Sequence, residues 1–522
     1  MAGLLSPLLS GGRRTVPPIA VLALAWVVPC LWLADQLMPP INHDVALLLK
    51  AAERWLDGER LYVDVIDVNP PLIVWLSALA PLAERWLGLL PATTWFSGLA
   101  VAAAAAGALA ARRFLLRAAG TGARGFAETA AVAGFGILAC LPGQDFGQRE
   151  HLMLCAALPY LGLAAARDAG ARVGLAFSLA VAVAAALAFC LKPHFALVPL
   201  AVEGLLLARG GRRRLADPVP WTMAVTAAAY AAAVVALAPA YLDIALPLAM
   251  ELYVPARRGW WGAATTSDLA VALPLWAVAA TAAFAASRQP VARLTAAAAA
   301  AAALAAVVQG TGWSYHVLPA SALSLWTVAL VAAERAAMAT QRPQRDVGRR
   351  AIAAAACASA LWLLPVNLMW PFTRALPAAA DPSAQIADLM TRYARDGRAM
   401  VLSMDVWPYY PAFNYAHARG AMHFFTLWPL QGAYRQCPPP RAPQQMTAQE
   451  RFVFDSIARD FARRAPPLLF VQTDFKLARC GESDFNFLSY FRQDPSFDRV
   501  FQGYAQLTKI GAINVYTRRA RR

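Results

Sequence analysis

"PPLIVWLSALAPLAERWLGLLPATTWFSGLAVAAAAAGALAARR", residues 70–113, decides how this chain is threaded through a membrane. A helix crosses the hydrocarbon with roughly 20 apolar residues, and the stretch holds two candidates end to end. Short cytoplasmic loops collect Lys and Arg. If both candidates crossed, Arg112, Arg113, Arg117 and Arg124 would fall on the side opposite the basic start at Arg13 and Arg14. One of them therefore does not cross. Residues 70–90 carry Pro70, Pro71, Pro81 and the pair Glu84-Arg85, whereas 92–111 carry no charge. We read the first as an amphipathic helix lying in the outer interface and the second as a span.

Working outward, the composition of the 522 residues sets the class. At 59% hydrophobic and 15% charged the chain is too apolar for a soluble enzyme of its length. The apolar runs are continuous rather than alternating, so they are helices and not barrel strands. About eleven such stretches precede residue 370. The first, residues 17–37, is longer than a signal peptide's apolar region and is followed by no small-x-small cleavage pattern, so it reads as a retained anchor with a cytoplasmic N-terminus. Arginine clusters at 112–124, 167–172, 209–214, 288–293 and 335–350 then all fall inside. Loops 141–150, 191–194, 241–266 and 309–316 fall outside, and a last span at 351–367 delivers the C-terminal region outside. The net charge of +16 meets the anionic cytoplasmic leaflet and needs no nucleic acid. Only the terminal arginines 518–522 stand against the charge rule, which is weak for long translocated domains.

Two domains are expected: a polytopic membrane domain over residues 1–369, with a first external loop at 38–91 carrying juxtamembrane helices, and a soluble α/β domain over 370–522. In the second, "RAMVLSM" (398–404) and "PPLLFVQT" (466–473) read as buried strands and "AQERFVFDSIARDFARRA" (448–465) as a helix between them. Of the seven cysteines only Cys437 and Cys480 lie in that region, and the two are candidates for a disulfide in an oxidising compartment. No CxxC, HExxH, GxxxxGK[ST] or strand-borne GxGxxG occurs, so spacing supports neither a zinc site nor a soluble nucleotide site. No cofactor is called for. The external carboxylates could bind a divalent cation, but nothing in their spacing demands one.

The polar residues gather at the outer ends of the expected spans. The first loop holds His43, Asp44, Asp57, Asp64, Asp67 and Asn69. "PGQDFGQREH" (142–151) brings Arg149, Glu150 and His151, "LKPHF" (191–195) brings Lys192 and His194, "ELYVPARRGWWG" (251–262) brings Arg257 and Arg258, and "QGTGWSYHVLP" (309–319) brings Tyr315 and His316. Four of the six histidines share this face. Ionisable groups at membrane depth are costly, so their gathering on one side marks a candidate site. Carboxylates among cations suit general-base chemistry beside a phosphate held by Lys and Arg.

The first loop also resembles a known family. "DGERLYVD" (57–64) and "NPPLIVWLSAL" (69–79) follow, in order, the pair His43-Asp44 and a leucine-rich juxtamembrane helix, and "SYHVLPA" (314–320) resembles a later Tyr-x-x-x-Pro element. This order is similar to that of the GT-C glycosyltransferases of the protein-mannosyltransferase and lipid A aminoarabinose-transferase type. The family's Asp-Glu pair corresponds here to His43-Asp44. The resemblance implies a GT-C fold in a bacterial inner membrane and a polyprenyl-phosphate-linked sugar as donor. It further implies transfer with inversion to an acceptor hydroxyl on the periplasmic side, with a glycan, lipid or protein as acceptor.

On that reading Asp44 takes the proton from the acceptor hydroxyl, with Asp64 and Asp67 as alternates, and Lys192, Arg149, Arg257 and Arg258 meet the departing lipid phosphate. Plainer readings stand beside these. Asp44 could cap the juxtamembrane helix, Asp64 and Asp67 could orient the loop, and Lys192 could snorkel. Arg149 and Glu150 could pair with each other, and Arg257-Arg258 before Trp260-Trp261 could anchor the interface. A transporter or flippase of a lipid-linked or anionic substrate is the rival class, although carriers place polar residues near the midplane of broken helices. A non-enzymatic envelope assembly protein is the third.

Overall fold

The computed structural model describes residues 37, 41–119, 123–339, 381–394, 397–434, 440–473 and 485–519. The expected span at 17–37 (Leu37 apart), the span at 351–367, the boundary at 369/370, Cys437, Cys480 and Arg521-Arg522 lie outside the described residues.

The first described helix, α1 (His43–Leu56), starts where Asn42 Oδ1 accepts the backbone N–H groups of Asp44 at 2.9 Å and Val45 at 3.2 Å. Two of the orphan donors of the first turn are thereby satisfied. The helix stops at Gly58, whose φ of +92° a side chain would strain. It buries Val45 to Ala52 and also Lys50 and Arg54. The stretch read as interfacial forms two short helices rather than one, α2 (Pro71–Ser77) and α3 (Leu79–Leu87), with prolines Pro70 and Pro71 at its start. It leaves Trp86 and Leu89 exposed at 82% and 75%.

Then follow α4 (Ala92–Ala118), α5 (Ala123–Cys140), α6 (Arg149–Asp168), α7 (Leu175–Phe189), α8 (Leu197–Gly210), α9 (Pro218–Leu237), α10 (Gly259–Ala264), α11 (Ser267–Ala286), α12 (Pro290–Gln309) and α13 (Leu318–Ala339). Among the described residues, five helical stretches are long and apolar enough to cross a membrane: Ala92–Ala118, Pro193–Ala216, Pro218–Leu237, Ser267–Ala286 and Pro290–Gln309. The chain is a multi-pass membrane protein. Among the described residues this criterion does not confirm the expected total of about eleven spans, and α7, at 15 residues, is short for one.

Helix α6 runs through the middle of the bundle, buried along nearly its whole length, as a helix apolar on every face must be. Small residues let its neighbour α4 come close: a Cβ on Gly107 would stand 2.1 Å from the carbonyl oxygen of Cys155. The two ends of α6 differ in chemistry. Its last turn carries Arg167, paired with Glu203 and Asp217 at 2.7 Å each, and Asp168, paired with Arg209 at 2.7 Å. Its first turn carries Arg149 and Glu150, about 27 Å away at 1.5 Å per residue.

The C-terminal segment comprises α14 (Pro382–Tyr393), β1 (Arg398–Leu402), α15 (Tyr409–Tyr415), β2 (Arg419–Gly420), α16 (Leu430–Ala433), α17 (Ala448–Arg464), β3 (Leu468–Gln472), α18 (Phe487–Phe491), α19 (Pro495–Phe501), β4 (Tyr504–Ile510) and β5 (Ile513–Arg518). The five strands form one sheet in the order β2-β1-β3-β5-β4. β1 is parallel to both neighbours, while β5 is antiparallel to β3 and to β4. The two strands and the helix read at 398–404, 466–473 and 448–465 are β1, β3 and α17. The β4–β5 hairpin, turning at Gly511 with φ +54°, was not expected.

Polar ties dock this segment on the first loop. Asn414 Nδ2 donates to the Ala46 carbonyl at 3.0 Å, Ile41 N donates to the Tyr415 hydroxyl at 2.8 Å, and Ile66 N donates to the His423 carbonyl at 2.8 Å. Asp57 is shared between Arg85, at 2.6 Å, and Arg419. On the other flank Gly432 meets the helical stretch at 241–253 so closely that a Cβ there would stand 1.9 Å from the Leu252 carbonyl oxygen.

Candidate active site

Between one end of the helix bundle and the C-terminal sheet lies a cavity of about 1160 Å³. All four loops read as external reach it, together with the first loop. His43, Asp44, Asp67, Asn69, Arg149, Lys192, His194, Arg257, Tyr315 and His316 line it.

Asp44 sits in the first turn of α1, but the cap is Asn42, so the carboxylate is not occupied in holding the helix start. One oxygen accepts from Gln148 Nε2 at 3.2 Å, and the other stands 3.6 Å from His43 Nε2. A negative side chain here also gains from the helix dipole. Asp67 is 5% exposed. Its Oδ1 accepts both the backbone N–H of Asn69 at 2.8 Å and the Asn69 amide at 2.6 Å. Burial raises its pKa above the ordinary carboxylate value, opposed by those two bonds and by Arg149.

Asp64 stands apart from the cavity. Arg60 takes its carboxylate through the backbone N and Nε, both at 2.9 Å, and the hydrogen bond from the Arg60 side chain brings it down to about 2. The residue ties together the turn at 60–65.

The cations come from three directions. Lys192 Nζ donates to a Glu150 oxygen, to Gln309 Oε1 at 3.2 Å and to His316 Nε2 at 3.2 Å, and lies 5.2 Å from the Tyr315 ring centre. An ammonium only donates, so His316 Nε2 accepts. The imidazole hydrogen is thereby assigned to Nδ1, 2.7 Å from Thr311 Oγ1. Burial and then Lys192 hold His316 well below its ordinary pKa, so it is neutral. Burial draws Lys192 itself down to about 8, with Glu150 acting in the opposite sense. Arg149 is 7% exposed, and no carboxylate is within ion-pair distance of its guanidinium among the described residues. Arg257 lies over the Tyr253 ring at 6.0 Å.

Three expected residues lie elsewhere. Glu150 is fully buried behind Lys192. His151 is buried against Phe146 and accepts the Gly147 N–H on Nδ1 at 3.0 Å, holding the turn before α6. Arg258 is exposed and outside the lining, at the N-cap of α10, which carries Trp260 and Trp261. Among the described residues no group of three or more His, Cys, Asp or Glu could hold a metal ion.

Several lining residues were not anticipated: Gln144 and Asp145 before α6, Tyr253, Trp313, and a wall from the C-terminal segment that includes Met404, Asp405, Trp407, Thr426, Trp428 and Gln431. Burial lifts Asp145 to about 7, with Glu150 and Asp44 adding to the rise. The signal for the C-terminal wall was the polar and aromatic turn "SMDVWP" directly after a buried strand.

Fold and cavity thus define a multi-pass helical membrane protein with a polar chamber at one end, roofed by a mixed α/β sheet. No family model matches the chain, and no curated protein does. Several solved structures are similar to this chain over nearly its whole length, each at low identity. ArnT from Cupriavidus metallidurans bound to undecaprenyl phosphate is 15% identical, over 95% of this chain and 97% of that one, with a TM-score of 0.45. The archaeal oligosaccharyltransferase AglB from Archaeoglobus fulgidus, in complex with an inhibitory peptide and a dolichol-phosphate, is 12% identical over 96% and 74%, at 0.46. The arabinofuranosyltransferase AftD from Mycobacteria is 16% identical over 96% of this chain and 40% of its own, at 0.39. At such distances function is carried by the residues of the cavity itself.

Proposed function

We propose that the chain transfers a sugar from a polyprenyl-phosphate-linked donor to an acceptor hydroxyl, with inversion, at the outer face of a bacterial inner membrane. The observation that carries this reading is the shared cavity of Asp44 with Arg149, Lys192 and Arg257. A carboxylate free of capping duty faces cations that suit an anionic leaving group.

In the step proposed, the acceptor oxygen attacks the anomeric carbon and its proton passes to Asp44. The bond between that carbon and the lipid phosphate breaks, and the electron pair stays on the phosphate oxygen. Arg149, Lys192 and Arg257 stabilise the charge that develops there. Lys192 is positioned by Glu150, Gln309 and His316. Asp67 suits the base role less well, because burial favours its protonated form and Asn69 holds one of its oxygens. Asp64 is committed to Arg60.

In this arrangement α2 and α3 lie in the outer interface with Trp86 and Leu89 in the headgroup layer, residues 1–369 form the membrane domain, and residues 370–522 are periplasmic. The test is turnover of purified protein in detergent with a panel of undecaprenyl-phosphate sugars and candidate acceptors. Wild type should consume one donor. A well-folded wild type that consumes none in the presence of acceptors defeats the reading.

A further inference from the structure

The cavity has two unlike walls. Arg149, Lys192 and Arg257 stand on the helix-bundle side. The facing wall comes from the C-terminal segment, and among the described residues no cation lines it.

That wall lies just past the carboxyl ends of β1 and β3, which are parallel neighbours. Open α/β sheets bind ligands beyond the carboxyl ends of their parallel strands. Here the turn after β1 is braced by β3. Ser403 Oγ donates to Gln472 Oε1 at 2.6 Å, Gln472 Nε2 donates to Asp405 Oδ2 at 2.7 Å, and Asp405 N donates to Ser403 Oγ at 3.0 Å. The braced turn presents Trp407, 52% exposed, at the cavity. Deeper in, Trp428 packs edge-on against Tyr253 at 5.8 Å. Its indole N–H and the hydroxyl of Thr426 are buried without a partner among the described residues.

Resting on the sugar-transfer reading, we propose that this wall is the acceptor subsite and that the acceptor is an uncharged glycan. Its ring packs on the Trp407 indole while its hydroxyls meet Thr426, Trp428 and Gln431. Three features choose this ligand class. A sugar ring offers an apolar C–H face to a flat aromatic and a rim of hydroxyls that both donate and accept, and this wall supplies the counterpart of each. A phosphorylated acceptor would need cations on this side, where the described wall has none and carries the carboxylate of Asp405. A peptide added as a strand would need a free sheet edge, and the edge strands β2 and β4 contribute nothing to the cavity.

The experiment is a calorimetric titration of the full-length protein in detergent, without donor. The probes are neutral gluco-, manno-, galacto- and N-acetylglucosamine oligosaccharides, a phosphorylated oligosaccharide, and a Ser/Thr-containing peptide. At least one neutral oligosaccharide should bind. Trp407→Ala should weaken it about tenfold and Trp407→Phe should retain most of the affinity, both leaving undecaprenyl-phosphate binding unchanged. Binding of only the phosphorylated or peptide probe, binding of none, or indifference to Trp407→Ala overturns the proposal. Donor turnover in the same preparations separates the two readings. Donor consumed without glycan binding sinks the acceptor assignment alone, whereas glycan bound through Trp407 with no donor consumed sinks the transferase reading and leaves a glycan site.

Discussion

Lys192 and Glu150 form an ion pair inside the protein, 7% and 0% exposed, in which the second oxygen of Glu150 has no hydrogen-bond partner among the described residues. Removing one partner of a buried pair leaves an uncompensated charge, which costs roughly 3–5 kcal/mol. Lys192→Met should therefore lower the thermal unfolding midpoint strongly, and the double variant Lys192→Met/Glu150→Gln should recover most of it. Turnover should stay lost in both, because the cation is gone. Recovery of turnover along with stability in the double variant would reduce the pair to a structural role.

The same lysine gives a pH dependence with two opposite signs. Burial holds Lys192 near pH 8 in the folded chain against an ordinary 10.5. Between those values the unfolded chain binds the proton and the folded chain does not, so this residue's contribution to stability rises with pH from about 8 to 10.5. Binding of a lipid phosphate, which needs the ammonium, should fall over the same range. The affinity for undecaprenyl phosphate measured from pH 6 to 10 checks this, and Lys192→Arg should flatten the profile because guanidinium stays charged.

Asn42, and not Asp44, caps α1, so the proposed base and the cap can be tested apart. Since Asn42 makes the cap, Asp44→Asn should keep the fold and lower turnover by about 10²–10⁴-fold. Asn42→Ala should cost about 1 kcal/mol of stability with a smaller effect on turnover. Asp67→Asn should fall between, through disturbance of the Asn69 turn. An Asp44→Asn enzyme with full turnover would move the base to Asp67.

Arg54 shows how the first loop is held to the sheet. Buried at 2% exposure, it donates to Glu59 Oε2 at 2.5 Å, to the Asp64 carbonyl at 2.9 Å and to the Met422 carbonyl at 3.0 Å. Leaving buried carbonyls unpaired costs about 1–3 kcal/mol each. Arg54→Met should thus loosen the loop from the C-terminal segment and raise the rate of protease cleavage within residues 57–70. An unchanged cleavage rate would mean that the remaining ties suffice.

The membrane class and the gathering of polar loops at one end of the bundle were legible because burial in lipid forces long apolar runs and drives charge to their ends. Convergence of those loops followed from topology alone, since every loop on one side of a bundle ends at the same face. What could not be read was depth. Glu150 and His151 share a helical turn with Arg149 yet point into protein, and a periodicity argument fails in a helix buried on all sides. The C-terminal wall was hidden for another reason: the turn that carries Trp407 is tied to Gln472 at the end of β3, and Leu427, beside Trp428, donates its N–H to the Ser403 carbonyl, relations between residues far apart in the chain. The β4–β5 hairpin was missed although "YAQLTKIGAINVYTR" carries strand-type residues around Gly511.

Sidedness is the last expectation, and the charge pattern makes it specific. The arginine-rich ends of α6 and α8 lie at the far side of the bundle from the cavity, held by Arg167 with Glu203 and Arg209 with Asp168. If cytoplasmic loops collect the arginines, a cysteine replacing exposed Arg212 should react with an impermeant thiol reagent only after the membrane is opened. A cysteine replacing exposed Lys509 on β4 should react in intact spheroplasts. Both are made in a cysteine-free background, because the native thiols at Cys140, Cys155 and Cys190 are free. Labelling of the two from the same side would require a different number of crossings between residues 212 and 509, and would take the sheet away from the cavity it roofs. Labelling of both from the unexpected sides would keep the fold and invert the membrane, placing the cavity and its substrates in the cytoplasm.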